Sequence, residues 1–297
     1  FFEAAGLPLV RERGNRVFPK SQKAADVAVC LKDLCKKWHV AVHYDCPVTG
    51  ISKDADTGRV NGIFCGDMFC SAYNVLIATG GLSYPLTGST GDGYRWAEGF
   101  GHTIVPPAPS LVGLKSSADW VRDLEGLSLR NIGFSLKKGD KVIYKDFGEL
   151  IFTAEGISGP VVLSGSRHIL PYKYTGIDAV IDLKPALNAE KLDSRLQRDF
   201  TQYSRKQISN GLFELLPRKL IPVMLRLWGV APDKFVNQIT KEERRVLADR
   251  IKHFTLPVTG SESIDRAVVT CGGVKTAEID PKTMESKLVK GLYFAGE

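Results

Sequence analysis

Three glycine clusters are the part of this sequence best suited to chemistry. They read ATGG at 78–81, CGGV at 271–274 and AGE at 295–297, and each ends or follows an apolar, β-like run. Glycine leaves the backbone bare, so a phosphate or a cofactor ring can lie against the peptide N–H groups. If the three strands share one sheet, their glycines meet at its carboxyl edge and form a cofactor site. Three unrelated tight turns are the alternative interpretation.

The common fingerprints of nucleotide sites and of hydrolases are absent from the sequence. The segment GSTGDG at 88–93 has its glycines in the order G-x-x-G-x-G, which is the reverse of the dinucleotide pattern. The sequence also contains no Walker loop, no G-x-S-x-G and no H-E-x-x-H. No acid–base triad is visible, so the catalytic residues are unknown at this stage. The residue pattern alone predicts an α/β domain with a cofactor-like glycine edge.

The composition is that of an ordinary globular protein and excludes several classes. The 297 residues are 43% hydrophobic and 25% charged, with a net charge of +7. No apolar run approaches the ~20 residues that span a bilayer. The basic residues are interpreted as dispersed, solvated surface, which makes a nucleic-acid partner unlikely. The six cysteines and five histidines have no metal-ligand spacing, so we expect no metal and a cytoplasmic chain with reduced thiols.

Helical and strand patterns divide the chain into segments. A helix is predicted over 22–38 with Ser21 as its N-cap, followed by strands in HVAVHY, PVTGIS, RVNGIFC and FCSAYNVLIATG. YRWAEGFGH predicts a short helix that begins at Asp92. Residues 108–184 alternate like antiparallel strands, whereas 185–254 are helical and include a capping box from Thr240 to Glu243. Strand patterns return in 255–297, so two inserted units interrupt one α/β domain, 1–107 and 255–297.

Four segments together resemble the HI0933-like flavoprotein family, which includes aminoacetone oxidase, YhiN-type proteins and a similar bile-acid reductase (BaiN-type). The segments are GNRVFPKS (14–21), IATGGLSYPLTGSTGDGY (77–94), GELIFTAEGISGP (148–160) and VVTCGGVKTAEIDPKTMESKLVKGLYFAGE (268–297). The resemblance implies a Rossmann-like FAD-binding domain, incomplete here, that is interrupted by a β-barrel-like substrate domain (108–184) and a helical subdomain (185–254). The family's G-x-G-x-x-G loop has no counterpart after Phe1, and the helix that follows AGE is likewise missing. We therefore expect a truncated chain that binds FAD weakly or not at all.

The resemblance also assigns residues to the FAD site. Val48 is similar to the position whose backbone meets the adenine. Apart from the resemblance, Glu155, Ser158 and Tyr84 are polar residues whose position suggests contact with a substrate between the flavin and the inserted β unit. The adenosine and pyrophosphate side is Ala78, Thr79, Gly80 and Gly81. The lining near the isoalloxazine and ribityl is Arg16, Phe18, Pro19, Ser83, Tyr84, Pro85, Gly88, Thr90, Gly91 and Asp92, and the residues that close over the flavin are Gly272, Gly273, Gly296 and Glu297.

By this resemblance the chain is an FAD-dependent oxidoreductase that transfers a hydride or electrons to or from a small organic substrate, with NAD(P)H as a possible external donor. The alternative is a non-catalytic fragment without flavin that acts by interaction. A third reading, an RNA-associated flavoprotein, requires basic stripes flanked by aromatic residues, and none is convincing in the sequence. The substrate and the oligomeric state are beyond the sequence.

Overall fold

The computed structural model describes residues 1–12 and 16–296, and they form two compact units. The smaller unit comprises residues 1–55 and 60–73, and the larger unit comprises 56–59 and the chain from 74 onward. No helix within the described residues is long and apolar enough to cross a membrane.

The smaller unit contains two antiparallel sheets and one helix. Its elements are β1 (Leu9–Arg11), β2 (Val17–Pro19), α1 (Ala24–Lys37), β3 (Val48–Lys53), β4 (Val60–Cys65) and β5 (Met68–Ser71). β1 pairs with β2, and β3, β4 and β5 form a meander whose first hairpin turns at the predicted DADTG. The helix is confirmed, although Lys23 rather than Ser21 is its N-cap.

Two strand predictions in this region are wrong. HVAVHY (39–44) is not a strand, and its Val40 and Val42 side chains are exposed. Alternation of apolar and polar residues shows only which side chains would share a face of a strand. A strand also needs a neighbouring strand to pair with, and this segment has none among the described residues. FCSAYNVLIATG is two strands rather than one, because the chain leaves the β5 ladder after Ser71.

The larger unit is built around a closed six-stranded barrel. Its elements are β6 (Val75–Ile77), α2 (Asp92–Gly99), β7 (Ile104–Ser110), β8 (Leu114–Ser116), β9 (Ser128–Lys138), β10 (Lys141–Phe152), β11 (Gly156–Ser158), α3 (Pro160–Ile169), β12 (Ile177–Asp182), α4 (Ala189–Gln202), α5 (Ile208–Gly211), α6 (Ile221–Trp228), α7 (Lys241–Lys252), β13 (Phe254–Ser261), β14 (Val269–Val274) and β15 (Leu292–Phe294). The barrel order is β10-β11-β8-β13-β12-β9. Closure leaves no free strand edge.

The core of this unit fills the barrel and continues beneath the helices. Phe134, Phe152 and Phe254 are almost fully buried, and Trp120 packs on Phe254 at 4.9 Å between ring centroids. The sixth barrel strand, β13, pairs with both β12 and β8, so the barrel extends past the expected boundary at 254. The predicted turn at 139–140 joins β9 to β10.

Polar contacts as well as apolar packing hold the helices of the segment 185–254 against one another. The capping box predicted at Thr240 is present at the start of α7. α7 packs on α4, where Arg244 Nε donates to Asp193 Oδ1 at 2.7 Å. The Trp228 indole N–H donates to the Glu243 carbonyl at 2.8 Å and fixes α6 against the same helix.

Candidate cofactor site

Two of the three glycine clusters meet where parallel strands end side by side. β6 and β15 pair in parallel, with Ile77 opposite Phe294. The pairing continues one residue further, because Ala295 N donates to Ile77 O at 3.0 Å. Thr79 and Gly80 therefore leave the sheet beside Gly296, as the sequence predicted for the carboxyl ends of neighbouring strands.

The third cluster reaches the same place by a different route. Gly272 and Gly273 lie inside β14, which pairs antiparallel with β7 and is bulged between Cys271 and Gly273. Both glycines have positive φ, 94° and 100°. A Cβ on Gly272 would lie 2.6 Å from the Pro106 carbonyl oxygen, so no larger residue fits this bulge. The cluster forms the last four residues of β14, as expected, but β14 belongs to a different sheet from β6 and β15.

A cavity of about 510 Å³ joins the three clusters. Its volume lies in the range of small-molecule and cofactor sites. Thr79, Gly80, Gly272, Gly273 and Gly296 all line it. The rest of the wall is mostly apolar, with Ile77, Val274, Ile279, Pro281, Met284 and Phe294, and the polar side chains of Tyr94 and Thr276 complete it.

Thr79 carries a polar atom that has no partner. Its Oγ1 is buried and forms no hydrogen bond with any described residue. The hydroxyl packs closely on α2, because a Cβ on Gly93 would lie 2.5 Å from it. A buried hydroxyl without a hydrogen bond costs about 1–3 kcal/mol. The Thr79 side chain lines the cavity, so rotation about its Cα–Cβ bond would turn the hydroxyl from Gly93 toward a bound ligand.

The loop after Gly81 is held by Thr270, a residue that the sequence analysis did not select. Leu82 N and Ser83 N both donate to Thr270 Oγ1, at 2.8 and 3.1 Å, and the two hydroxyls of Ser83 and Thr270 are 3.0 Å apart. A Cβ on Gly81 would lie 2.4 Å from Thr270 Oγ1, so Gly81 is needed for this close approach. Thr270 thereby fixes the strand end against β14.

A buried histidine network lies behind the cavity. Ser286 Oγ accepts from the backbone N–H groups of Leu288 and Val289, at 3.0 and 2.9 Å. Because these two bonds occupy the lone pairs of the oxygen, the Ser286 hydroxyl donates to His102 Nε2, 2.8 Å away. The Nδ1–H of His102 in turn donates to Glu278 Oε2 at 3.2 Å. The network assigns His102 as the neutral Nδ1–H tautomer.

This network supports the cavity wall directly. The His102 ring meets the Phe294 ring edge-to-face at 5.1 Å between centroids. Glu278 also accepts from Thr103 N at 2.8 Å, and the hydrogen bonds from Thr103, followed by that from His102, hold the pKa of Glu278 below its ordinary value. No local sequence signal marks this network, because its members lie more than 170 residues apart.

The DPKTMES segment forms a tight turn at the cavity rim. Asp280 Oδ1 accepts from Lys282 N and Thr283 N, at 2.8 and 3.0 Å. Met284 follows with a φ of 64° and lines the cavity. A non-glycine residue in this region is strained, and such residues concentrate at ligand sites.

The other residues assigned from the sequence lie elsewhere. Those in the loop 83–92 do not line the cavity, and Thr90 and Arg95 both bond to Asp92 instead. The residues concerned are Ser83, Tyr84, Pro85, Gly88, Thr90, Gly91 and Asp92, while Ala78 and Gly81 flank the cavity-lining pair. Arg16, Phe18, Pro19 and Val48 belong to the smaller unit. Glu297 lies outside the described residues.

Glu155 lines a separate polar cleft of about 610 Å³ at the barrel. Its carboxylate pairs with Lys115 Nζ at 2.6 Å, and this pairing lowers the pKa of Glu155. Arg266 and Glu262 lie in the same cleft, whereas Ser158 pairs with Ile151 in the barrel ladder. Tyr84 is joined to this region by its backbone, since Tyr84 N donates to Asp265 O at 3.2 Å.

Comparison with known proteins gives one family and several relatives. The family described as HI0933-like protein barrel and H2TH domain matches residues 108–269. A ribosomal RNA dihydrouridine synthase of Haemophilus influenzae is 32% identical over 98% of this chain and 72% of its own length. A 3-dehydro-bile acid delta(4,6)-reductase of Clostridium scindens is 30% identical over 100% and 72%, and a ribosomal RNA dihydrouridine synthase of Escherichia coli K12 is 29% identical over 92% and 65%. All three relatives are named as enzymes.

Proposed function

The chain belongs to the HI0933-like protein family, and from this premise we propose that it is a flavin-dependent reductase of carbon–carbon double bonds conjugated to a carbonyl group. The family resemblance supports FAD as the cofactor, in a Rossmann-like domain formed by the two ends of the chain. The reduction of a conjugated double bond is our inference from the names of the relatives.

The two kinds of relative share one reaction class by name. Dihydrouridine is uridine reduced across a ring double bond that is conjugated to a carbonyl. A delta(4,6)-reductase of a 3-dehydro bile acid acts on double bonds conjugated to the 3-oxo group. In this class of reaction hydride adds to the carbon β to the carbonyl, or to the δ carbon of an extended dienone, and a proton adds to the neighbouring carbon.

The single observation that carries the proposal is the cavity at the joined ends of β6 and β15. A bound flavin would supply the hydride. The Thr79 hydroxyl, which has no hydrogen-bond partner among the described residues, would bind a polar group of the cofactor, and the bare backbone at Gly80, Gly272 and Gly273 would allow its close approach. The apolar wall around Phe294 would exclude water from the reacting atoms.

The first test is the visible absorption spectrum of the purified chain after incubation with excess FAD and desalting. Flavin bands that survive desalting, are bleached by NADPH and are restored by cyclohex-2-enone under anaerobic conditions would support the proposal and would overturn the expectation of weak FAD binding. A colourless protein with a cooperative thermal transition would instead favour the non-catalytic alternative. Retained bands that no enone restores would refute the reductase and leave the flavin site.

A matched pair of variants links the flavin to this cavity. Gly80 and Gly229 have similar φ values, 74° and 78°, but Gly229 ends α6 far from the glycine clusters in sequence and does not line the cavity. Gly229→Ala should lower stability by about 1–2 kcal/mol because the position is left-handed, and Gly80→Ala should cost more, since its Cβ would also lie 2.7 Å from Ser89 Oγ. Only Gly80→Ala should weaken FAD binding, by about tenfold or more. Equal weakening in Gly229→Ala would refute the assignment.

A further inference from the structure

Nearly all of the net charge of this protein lies in its helical segment. Residues 185–254 contain 14 of the 40 Lys and Arg residues but only 8 of the 33 acidic residues, which gives +6 of the total +7. The other 26 basic residues lie outside this segment, so the basic residues are spread along the chain but the net charge is not. Concentrated positive charge on one part of a fold is the electrostatic footprint of a polyanion site.

Internal ion pairs neutralise part of this charge. Within the segment, Asp199 pairs with Arg195 and Arg198, Asp193 pairs with Arg244, Glu243 pairs with Lys234, and Glu242 pairs with Arg245. Arg205, Lys206 and Arg218 are exposed and form no ion pair with any described residue. Their charge is available to a partner.

The available cations lie beside aromatic rings. Lys206 Nζ is 4.4 Å from the Tyr203 ring centroid, and the Arg218 guanidinium carbon is 5.1 Å from that of Phe213. The Tyr203 hydroxyl donates to Glu214, which joins the two pairs into one surface.

A third ring, that of Phe235, extends this surface. Phe235 is opposite Gln207 in a short bridge, next to Lys206, and Val236 N donates to Lys206 O at 2.9 Å. Phe213 and Phe235 are 44% and 46% exposed. We name this group the basic–aromatic surface; its members are Tyr203, Arg205, Lys206, Phe213, Arg218 and Phe235.

We propose that the basic–aromatic surface binds a single-stranded segment of RNA. Phosphates would bind to the three free cations, and unpaired bases would stack on the exposed Phe rings. Sequence-tolerant stacking on aromatic rings next to cations is how proteins hold unpaired RNA. The bases of a duplex are stacked inside the helix and cannot stack on these rings. The surface therefore fits single-stranded RNA better than a duplex.

The proposal rests on the proposed function and extends it to a substrate class. An enzyme that reduces a nucleobase must receive that base outside a helix, because the stacked base is out of reach of a cavity such as that at Thr79. A surface that holds flanking unpaired nucleotides would keep the target base available. A small enone does not have to be removed from a helix, so the basic–aromatic surface would not contribute to its reduction.

The test is fluorescence anisotropy of the full chain with a labelled oligouridine of roughly 20 nucleotides, over a range of about 50 to 200 mM salt. The variant Arg205→Gln, Lys206→Gln, Arg218→Gln should bind at least about tenfold more weakly. Its log K against log salt slope should fall by about 2, since each single-strand phosphate contact contributes about 0.7.

A matched triple variant separates a defined surface from general charge. Lys138, Lys141 and Lys145 are exposed on the β9–β10 hairpin, so their change to glutamine removes the same charge elsewhere. This control should alter oligouridine binding less than about twofold. Equal losses in the two variants, or no binding by the wild type, would overturn the proposal.

Two further arms exclude other partners and other failures. Phe213→Leu with Phe235→Leu should weaken binding to oligouridine without changing the salt slope. Preference for a blunt RNA duplex of the same length, or for anionic phosphatidylglycerol vesicles over oligouridine, would overturn the proposal. Reduction of cyclohex-2-enone should be unchanged in the Arg205, Lys206 and Arg218 variant. If the wild type does not reduce cyclohex-2-enone, the proposed reductase activity is refuted. The anisotropy measurement then still tests whether the basic–aromatic surface binds RNA.

Discussion

Replacement of Thr79 by valine should have opposite effects on the stability of the protein and on cofactor binding. Valine has the shape of threonine and lacks its hydroxyl. That hydroxyl is buried in the cavity wall and has no hydrogen-bond partner among the described residues. The change therefore removes an unsatisfied polar atom and leaves the packing against Gly93 in place.

The size of each effect follows from the same atom. A buried hydroxyl without a partner costs about 1–3 kcal/mol, so Thr79→Val should raise the free energy of unfolding of the ligand-free protein by about 1 kcal/mol. A hydrogen bond to a bound cofactor contributes about 0.5–1.5 kcal/mol, so FAD should bind up to about tenfold more weakly. Loss of this one hydroxyl should therefore both stabilise the ligand-free protein and weaken its binding of FAD.

Urea unfolding of the desalted protein and an FAD titration measure the two quantities. Thr201→Val is the matched control, because the Thr201 hydroxyl donates to the Gln197 carbonyl at 2.9 Å on the exposed side of α4. It should give no gain in stability and no change in FAD affinity. Loss of stability in Thr79→Val together with unchanged FAD affinity would mean that the hydroxyl is satisfied without the cofactor, and would refute the reasoning.

Three other predictions concern stability and its dependence on pH. Thr240→Ala should cost about 1 kcal/mol in urea unfolding, because it removes the N-cap of α7, and Thr240→Ser should restore most of it. Asp199→Asn should cost about 2 kcal/mol, since the Asp199 carboxylate is buried against Arg195 at 2.7 Å; a loss under 0.5 kcal/mol would contradict this. Glu278 has a pKa lowered from 4.5 by its hydrogen bonds, chiefly to Thr103, so its stabilisation is complete above that value and is lost as the pH falls through the lowered pKa. The stability difference between wild type and Glu278→Gln should therefore shrink as the pH falls below about 4.5, and a constant difference would contradict the assignment.

Local signals in the sequence were sufficient for elements whose stability is local. The capping box at Thr240, the turn at 139–140 and the helix from Asp92 were all predicted and are present. HVAVHY failed because alternation specifies a face, whereas a strand also needs a partner that the local sequence does not encode. The same limit explains why one apolar run, FCSAYNVLIATG, divides between two ladders.

The cofactor cavity was predictable only where it depends on strand ends. The clusters at Thr79 and Gly296 were predicted to meet because neighbouring parallel strands bring their carboxyl ends together, and the β6–β15 pairing does this. Thr270 could not be selected, since its contact to Leu82 spans 188 residues. The Thr270 hydroxyl fixes the loop after Gly81 by a contact between distant parts of the chain, and no rule based on the spacing of nearby residues predicts such a contact.

If the proposed function holds, the residues that distinguish one substrate from another lie outside the cavity at Thr79. The names of the relatives describe one reaction class on a nucleoside within RNA and on a bile acid, so the atoms that react are similar and the remainder of the substrate is not. The groups that distinguish the two are the phosphates and flanking bases of the RNA. On our proposal, Arg205, Lys206 and Arg218 would contact those groups in this chain, whereas the cavity at Thr79 has a mostly apolar wall. The helical segment is accordingly where a chain of this family would commit to RNA, and its charge is the property to compare between relatives that act on different substrates.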